Sequence, residues 1–287
     1  MLYRKYEVAQ TLPEALSLLS SHNGAVVRPV AGGTDLILQL HERILSADVL
    51  VDISRVPELR GIRLENGQLV IGAATTYTEI SRSDLVLKNA FVLAEASKKI
   101  GAVQIQNMAT LGGNIGNASP AADAIPGLYA LQADVVVCGP NAERRIPITE
   151  FHQGYRKIDL NPGELIKEIR FAIPAEGTGT AFYKYALRKS QAISVVDAAV
   201  CVQLSDGVIK HATVALGAVA PTIIRSPAAE SVLIGEPPSE DLFDRAAEAA
   251  CQDARPIDDI RGSAAFRKYL VGVCTSHAVR SACERAA

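Results

Sequence analysis

The sequence predicts an α+β protein in two units, a larger α/β unit followed by a smaller sheet packed by helices. Three observations carry this. Helical and extended patterns alternate at the start of the chain, the dipeptide Asn66-Gly67 separates two alternating apolar runs, and the pattern changes beyond a small, glycine-rich stretch at residues 175–180.

Thr11, Leu12, Pro13 and Glu14 open an amphipathic run through Leu19, with a hydroxyl cap, an early proline and an acidic first turn. Residues 25–30 read as a strand, 35–45 as a helix and 49–53 as a second strand, the order of a right-handed crossover. In GIRLENGQLVIGA, residues 61–73, Asn66 and Gly67 meet the positive-φ demand of a type I′ hairpin turn. Helical signals dominate 77–100, followed by an irregular glycine-containing segment, a helix over 121–132 and a strand at 134–138. A turn at 139–141 leads to further short strands, and 164–173 is extended. Residues 195–204 and 208–219 are strand-like around Ser205, Asp206 and Gly207. After Pro227 the chain is mainly helical, and residues 263–285 bring Phe266, Leu270, Val273 and His277 to helical spacing.

The chain has 287 residues, 48% of them apolar and 21% charged, enough for two or three globular units. A formal charge of -2 gives no basic excess for nucleic acid or an anionic membrane. No run approaches the roughly eighteen apolar residues of a membrane span. The N-terminal stretch meets Glu7 and Gln10 where a secretory signal needs apolar residues, so a cytoplasmic location is expected. The cysteines Cys138, Cys201, Cys251, Cys274 and Cys283 are scattered and form no CxxC pair, which points to reduced thiols and no metal site. His22, His41, His152, His211 and His277 build no triad, and no residue is assigned as catalytic.

Two glycine segments remain. In the first, Arg28, Pro29, Val30, Ala31, Gly32, Gly33, Thr34, Asp35 and Leu36 run from a strand end into a helix start. There the free amides and missing Cβ atoms suit a phosphate. The alternative is an ordinary tight turn with Thr34 or Asp35 as helix cap. The second holds Ala109, Thr110, Leu111, Gly112, Gly113, Asn114, Ile115, Gly116 and Asn117, then Ser119, Pro120 and Asp123. It combines flexible backbone with side-chain amides, as a pyrophosphate and ribose require. Its alternative is an irregular loop capped by Ser119 or Asp123 with Pro120 early in a helix. Neither segment is GxGxxG and no GxxxxGK[ST] occurs, which disfavours the common nicotinamide and ATP cradles.

The blocks AGGTDL, IGAVQIQN, ATLGGNIGNASPAAD and FYKYALRKSQAIS, in this order and spacing, closely resemble the FAD-binding medium subunit of the molybdenum hydroxylase family, which includes xanthine dehydrogenases. The likeness spans essentially the whole chain. It implies an FAD-binding domain over 1–175, built of two α/β subdomains (about 1–54 and 55–175) of the vanillyl-alcohol-oxidase type, and a small α+β C-terminal domain over 181–287. It implies that residues 28–36 wrap the FAD diphosphate, with Ala31 to Thr34 giving amides, and that Ala109, Thr110, Gly113, Asn114, Asn117 and Asp123 form a second wall. Ile100 then lies beside the flavin ring, and Ile166 and Lys184 match further flavin contacts. Read without the resemblance, Ile100 and Ile166 are core residues and Lys184 a surface cation.

The resemblance further implies non-covalent FAD, with a large molybdenum-cofactor subunit and a small [2Fe–2S] subunit as partners in a dimer of heterotrimers. Electrons would pass from the clusters through FAD to NAD or another acceptor during hydroxylation of a purine or other N-heteroaromatic compound. Two single positions and one turn depart from the pattern. Gln106 stands where relatives often carry arginine, Gln191 where some carry an acidic group, and Gly32, Gly33, Thr34, Asp35 where carbon monoxide dehydrogenases tend to read Gly-Gly-His-Ser. A self-contained flavoprotein oxidoreductase and a redox-inactive nucleotide-binding assembly protein are the competing readings.

Overall fold

The computed structural model describes residues 2–22 and 24–287. The chain opens with β1 (Lys5–Val8), α1 (Leu12–Ser20), β2 (Val27–Val30), α2 (Leu36–His41) and β3 (Val49–Asp52). The three strands form a parallel sheet in the order β1-β3-β2. Because side chains alternate along a strand, Val49 and Val51 pack with Ala15 of α1, and Leu50 with Leu40 of α2 on the other face. Thr11 caps α1 by accepting from the Glu14 amide. The second helix stops at His41, short of the expected 45. Arg43 takes a φ of 58°, and the amides of Ile44 and Leu45 turn back onto the Gln39 carbonyl.

Next come β4 (Ile62–Glu65), β5 (Gln68–Gly72), α3 (Tyr77–Arg82), α4 (Asp84–Asn89), α5 (Phe91–Lys99), α6 (Val103–Gln106), α7 (Leu111–Asn117) and α8 (Ala124–Ala130). They are followed by β6 (Asp134–Cys138), β7 (Glu143–Pro147), α9 (Ile148–Phe151), β8 (His152–Gly154), β9 (Lys157–Ile158) and β10 (Leu165–Ala172). An antiparallel sheet in the order β4-β5-β10-β6-β7 results, with β8 and β9 as a separate hairpin. Asn66 and Gly67 carry φ of 50° and 75°, as the type I′ reading requires. The helical stretch expected over 77–100 is three helices. Ser83 and Ala90 leave the helical region, and the breaks let Val86, Val92 and Leu93 all reach the core. The glycine segment expected to be irregular contains the helix α7, and the helix expected over 121–132 begins only at Ala124.

The last part comprises β11 (Thr178–Ala186), β12 (Ser194–Ser205), β13 (Val208–Gly217), β14 (Ile224–Arg225), α10 (Pro227–Leu233), α11 (Glu240–Asp253) and α12 (Ala264–Ala286). Its strands pair antiparallel in sequence order. Residues 175–180 enter a strand at Thr178, where pairing with Gln203 begins. Along β12, Ala198, Val200 and Val202 face the three terminal helices, while Ala199 joins Phe182 and Ala215 in the core that contains Val92 and Leu128. One sheet therefore packs helices on both faces. No helix among the described residues is long and apolar enough to cross a membrane.

Candidate functional site

The first glycine turn follows β2. A Cβ on Gly32 would lie 1.8 Å from the Met108 carbonyl oxygen, so this turn touches the backbone that leads into the second segment. Only glycine fits there. Gly33 takes a φ of 69°, a region L side chains avoid. Asp35 occupies the N-cap position of α2 but its side chain makes no cap bond. It is open to solvent yet hemmed in by protein, and desolvation raises its carboxyl above the usual range while Arg156 acts in the opposite sense. Arg28 departs from expectation. It lies on β2 opposite Leu50, and its Nε donates to the Ser46 carbonyl at 2.6 Å, which engages the guanidinium outside the glycine turn.

The second segment is fixed by its cap and by close backbone contact. Thr110 Oγ1 accepts from the Gly113 amide at 3.1 Å, which starts α7. The amides of Leu111 and Gly112 donate to the Thr75 and Ala73 carbonyls at 3.1 and 2.8 Å. A Cβ on Gly112 would stand 2.5 Å from that of Ala73, so the helix seats directly on the chain leaving β5. Gly113 and Gly116, three residues apart on one helix face, are exposed and present bare backbone. Gln39 Nε2 donates to Asn117 Oδ1 at 2.8 Å and ties α2 to α7. Two polar atoms in this region, Asn114 Oδ1 and the Tyr77 hydroxyl, are buried without a partner among the described residues. Burial, followed by the Asp123 and Asp35 carboxylates, raises the Tyr77 phenol well above its ordinary range, so this hydroxyl feels the ends of both segments. Bare backbone beside unpaired polar atoms is a surface that fits a polar ligand such as FAD.

A third wall comes from the C-terminal sheet. Lys184 on β11 is buried, with Nζ 2.6 Å from Asp123 Oδ2, 2.8 Å from the Ala192 carbonyl and 3.1 Å from the Lys99 carbonyl. It is no surface cation. Ser194 donates to the other Asp123 oxygen at 2.6 Å. Desolvation still holds the Asp123 carboxyl above its usual range. Ile166 is buried below α7, its Cδ1 3.8 Å from where a Gly116 Cβ would stand. Ile100, half-buried, ends α5, and its carbonyl accepts from Gln106 Nε2 at 2.9 Å. The Gln191 amide donates to the neighbouring Gly101 carbonyl at 2.8 Å. Gln106 thus holds the Ile100 loop through its side chain, whereas the Gln191 bond is made by the main chain and does not depend on the glutamine.

The structure brings Ala31 to Asp35, Ala109 to Asn117, Asp123 and Lys184 into one region, and leaves the Arg28 guanidinium out. Sequence reasoning missed Gln39, Tyr77 and the anchoring role of Gln106. The TTYTE stretch, in which Thr76 and Glu79 form a capping box, was the available signal that Tyr77 begins a helix. Two surface clefts, one lined by Leu12, Leu16 and Glu143 and one by Phe91 and Thr178, include none of these residues.

Comparison with known proteins gives the family. Residues 3–175 match the family described as the FAD binding domain in molybdopterin dehydrogenase, and residues 181–282 match the CO dehydrogenase flavoprotein C-terminal domain. The chain is 34% identical over 282 residues to the xanthine dehydrogenase FAD-binding subunit of Escherichia coli O157:H7, covering 98% of this chain and 96% of that one. It is 34% identical over 283 residues to the carbon monoxide dehydrogenase medium chain of Hydrogenophaga pseudoflava, covering 99% and 98%. A solved carbon monoxide dehydrogenase from that organism, lacking the Mo-pyranopterin moiety, superposes with a TM-score of 0.94 at 33% identity, covering 99% of each chain. The chain belongs to the family of FAD-binding medium subunits of the molybdenum hydroxylases, which includes those of xanthine and carbon monoxide dehydrogenases.

Proposed function

We propose that the FAD diphosphate lies between the two glycine segments. Pro29, Val30, Ala31, Gly32, Gly33, Thr34, Asp35 and Leu36 form one wall, bordered by the backbone of Arg28. Ala109, Thr110, Gly113, Asn114, Asn117 and Asp123 form the other. Ile100 flanks the flavin ring, and Ile166 and Lys184 complete its surroundings, Lys184 through its hold on Asp123. The observation that carries this reading is the backbone contact of Gly32 with Met108, which makes one surface of two segments far apart in sequence. Residues 1–175 then act as the FAD domain, with subdomains 1–54 and 55–175, and 181–287 as the C-terminal domain.

Bound FAD supplies a carrier that takes electrons singly from iron–sulfur clusters and passes a pair onward. In this reading a small [2Fe–2S] subunit, served by a large molybdenum-cofactor subunit, delivers the electrons, and NAD or another acceptor removes them. The complex is a cytoplasmic dimer of heterotrimers that hydroxylates a purine or other N-heteroaromatic compound. Family membership supports the electron-transfer role, and five free cysteines suit a reducing compartment. The xanthine and carbon monoxide relatives are equally similar at 34%, so what favours an N-heteroaromatic substrate over carbon monoxide is the Gly-Gly-Thr-Asp turn, which departs from the Gly-Gly-His-Ser of carbon monoxide dehydrogenases.

Anaerobic titration of the purified chain with FAD tests the cofactor site, and the native complex tests the rest. Molybdenum and iron are expected in that complex, with flavin absorbance bleaching on addition of a purine. A chain that holds no flavin after reconstitution, or a complex without those metals, overturns the reading.

A further inference from the structure

An anionic diphosphate held by backbone amides gains most from a cation that has no other partner. The walls described above offer none. All the donors of the Lys184 ammonium are directed at Asp123, Lys99 and Ala192, and Arg28 is engaged with Ser46. They also carry two carboxylates, Asp35 and Asp123, that repel phosphate.

The missing charge stands on the β8–β9 hairpin. Arg156 sits in its turn, and its amide donates to the Ala118 carbonyl, the C-cap of α7, at 3.3 Å. A second bond, between His152 Nε2 and the Ile115 carbonyl at 3.0 Å, fastens the same hairpin to the same helix. Arg156 adopts a φ of 53°, an uncommon conformation for a side-chain-bearing residue, which the two anchors hold in place. Its side chain is exposed and, among the described residues, makes no hydrogen bond or ion pair; its guanidinium carbon lies 5.5 Å from the centre of the Tyr155 ring. Arg156 also lowers the Asp35 carboxyl against the upward pull of burial, so its charge is felt at the first glycine turn. A free cation is therefore fixed by its backbone to the end of the second segment and acts on the first.

We infer that Arg156 is a cation of the diphosphate subsite, its guanidinium donating to phosphate oxygens of FAD between Asp35 and Ala118. The inference rests on the reading that the diphosphate lies between the two glycine segments. It adds a phosphate-binding residue from a hairpin outside both of them.

The test compares flavins of different phosphate content on the purified full-length chain, stripped of flavin. Binding of FAD and riboflavin is followed by fluorescence quenching for wild type, Arg156→Gln and Arg156→Lys. Arg156→Gln is expected to raise the Kd for FAD by about ten- to a hundredfold, the loss of one charge-assisted contact, and to leave the Kd for riboflavin unchanged. Arg156→Lys is expected to recover part of the loss, since it restores charge without the planar fork. The thermal midpoint of the flavin-free chain should not move. An unchanged Kd for FAD in Arg156→Gln, or riboflavin weakened by the same factor, overturns the inference alone. A wild-type chain that binds no flavin overturns the cofactor site with it.

Discussion

Asp197 shows what a single residue can do to the chemistry of this region. It lies on β12 between Lys184 on one neighbouring strand and Gly217 on the other, fully buried, and among the described residues neither oxygen has a hydrogen bond of good geometry. A Cβ on Gly217 would stand 2.1 Å from Asp197 Oδ1, so the carboxyl has room only because glycine is opposite. Burial raises its pKa first and the Asp123 carboxylate raises it further. The nearby Ser194 hydroxyl, Lys184 and the Gly217 amide pull the other way, and the Cys274 thiol on α12 is raised first by its own burial and then by Asp197. Because the folded pKa is higher than the unfolded one, the folded chain keeps a proton the unfolded chain has lost. Stability therefore falls as pH rises from the ordinary carboxylate range toward the raised value. Asp197→Asn has no such proton, so its thermal midpoint should decline less steeply than wild type between about pH 5 and about pH 8. Parallel curves for the two proteins would show that Asp197 does not titrate this way.

Among the elements, α7 separates fold from ligand binding most cleanly. Gly32 and Gly116 both border the proposed cradle, yet they answer differently to one added methyl. Gly32→Ala drives a Cβ into the Met108 carbonyl and is expected to destabilise the flavin-free chain by about 1–3 kcal/mol or more, measured by urea unfolding. Gly116→Ala meets only Ile166 at 3.8 Å and replaces a glycine in the last turn of α7, so the same measurement should give a gain below the roughly 1 kcal/mol of an interior position. Its methyl stands on the exposed face of α7, however, and FAD affinity is expected to drop. A Gly116→Ala chain that binds FAD as wild type does would remove that face from the cradle. The Asn66-Gly67 hairpin and the Thr11 cap were legible in the sequence because their signals are local. The helix α7 was not, since LGGNIGN has poor intrinsic helix propensity. Its order comes from Thr110, Thr75 and Ala73, contacts that local patterns do not encode.

Across the whole molecule, the C-terminal sheet and the helices before it share one core, with Phe182, Ala199 and Ala215 packed among residues of α5 and α8. Lys184 is the buried ionic fastening in that junction beside the more exposed Arg285–Glu95 pair, and it joins β11 to Asp123 ahead of α8 and to the Lys99 carbonyl at the end of α5. The sequence offered no local sign of this pairing, because the partners are 61 positions apart and an isolated lysine reads as solvated. Lys184→Met keeps much of the volume but removes the cation, leaving Asp123 buried with Ser194 as its remaining side-chain donor. Breaking one side of such a pair costs about 3–5 kcal/mol when the stranded group stays charged. Asp123 already has a raised pKa from burial, and without Lys184 it rises further. At low pH the carboxyl is then protonated and the penalty shrinks; at higher pH it must ionise inside the protein or stay protonated at a growing cost. The drop in thermal midpoint caused by Lys184→Met should accordingly be larger at about pH 8 than at about pH 5, and adding Asp123→Asn should abolish that difference. Equal drops at both pH values would mean that the lysine serves the junction by packing alone.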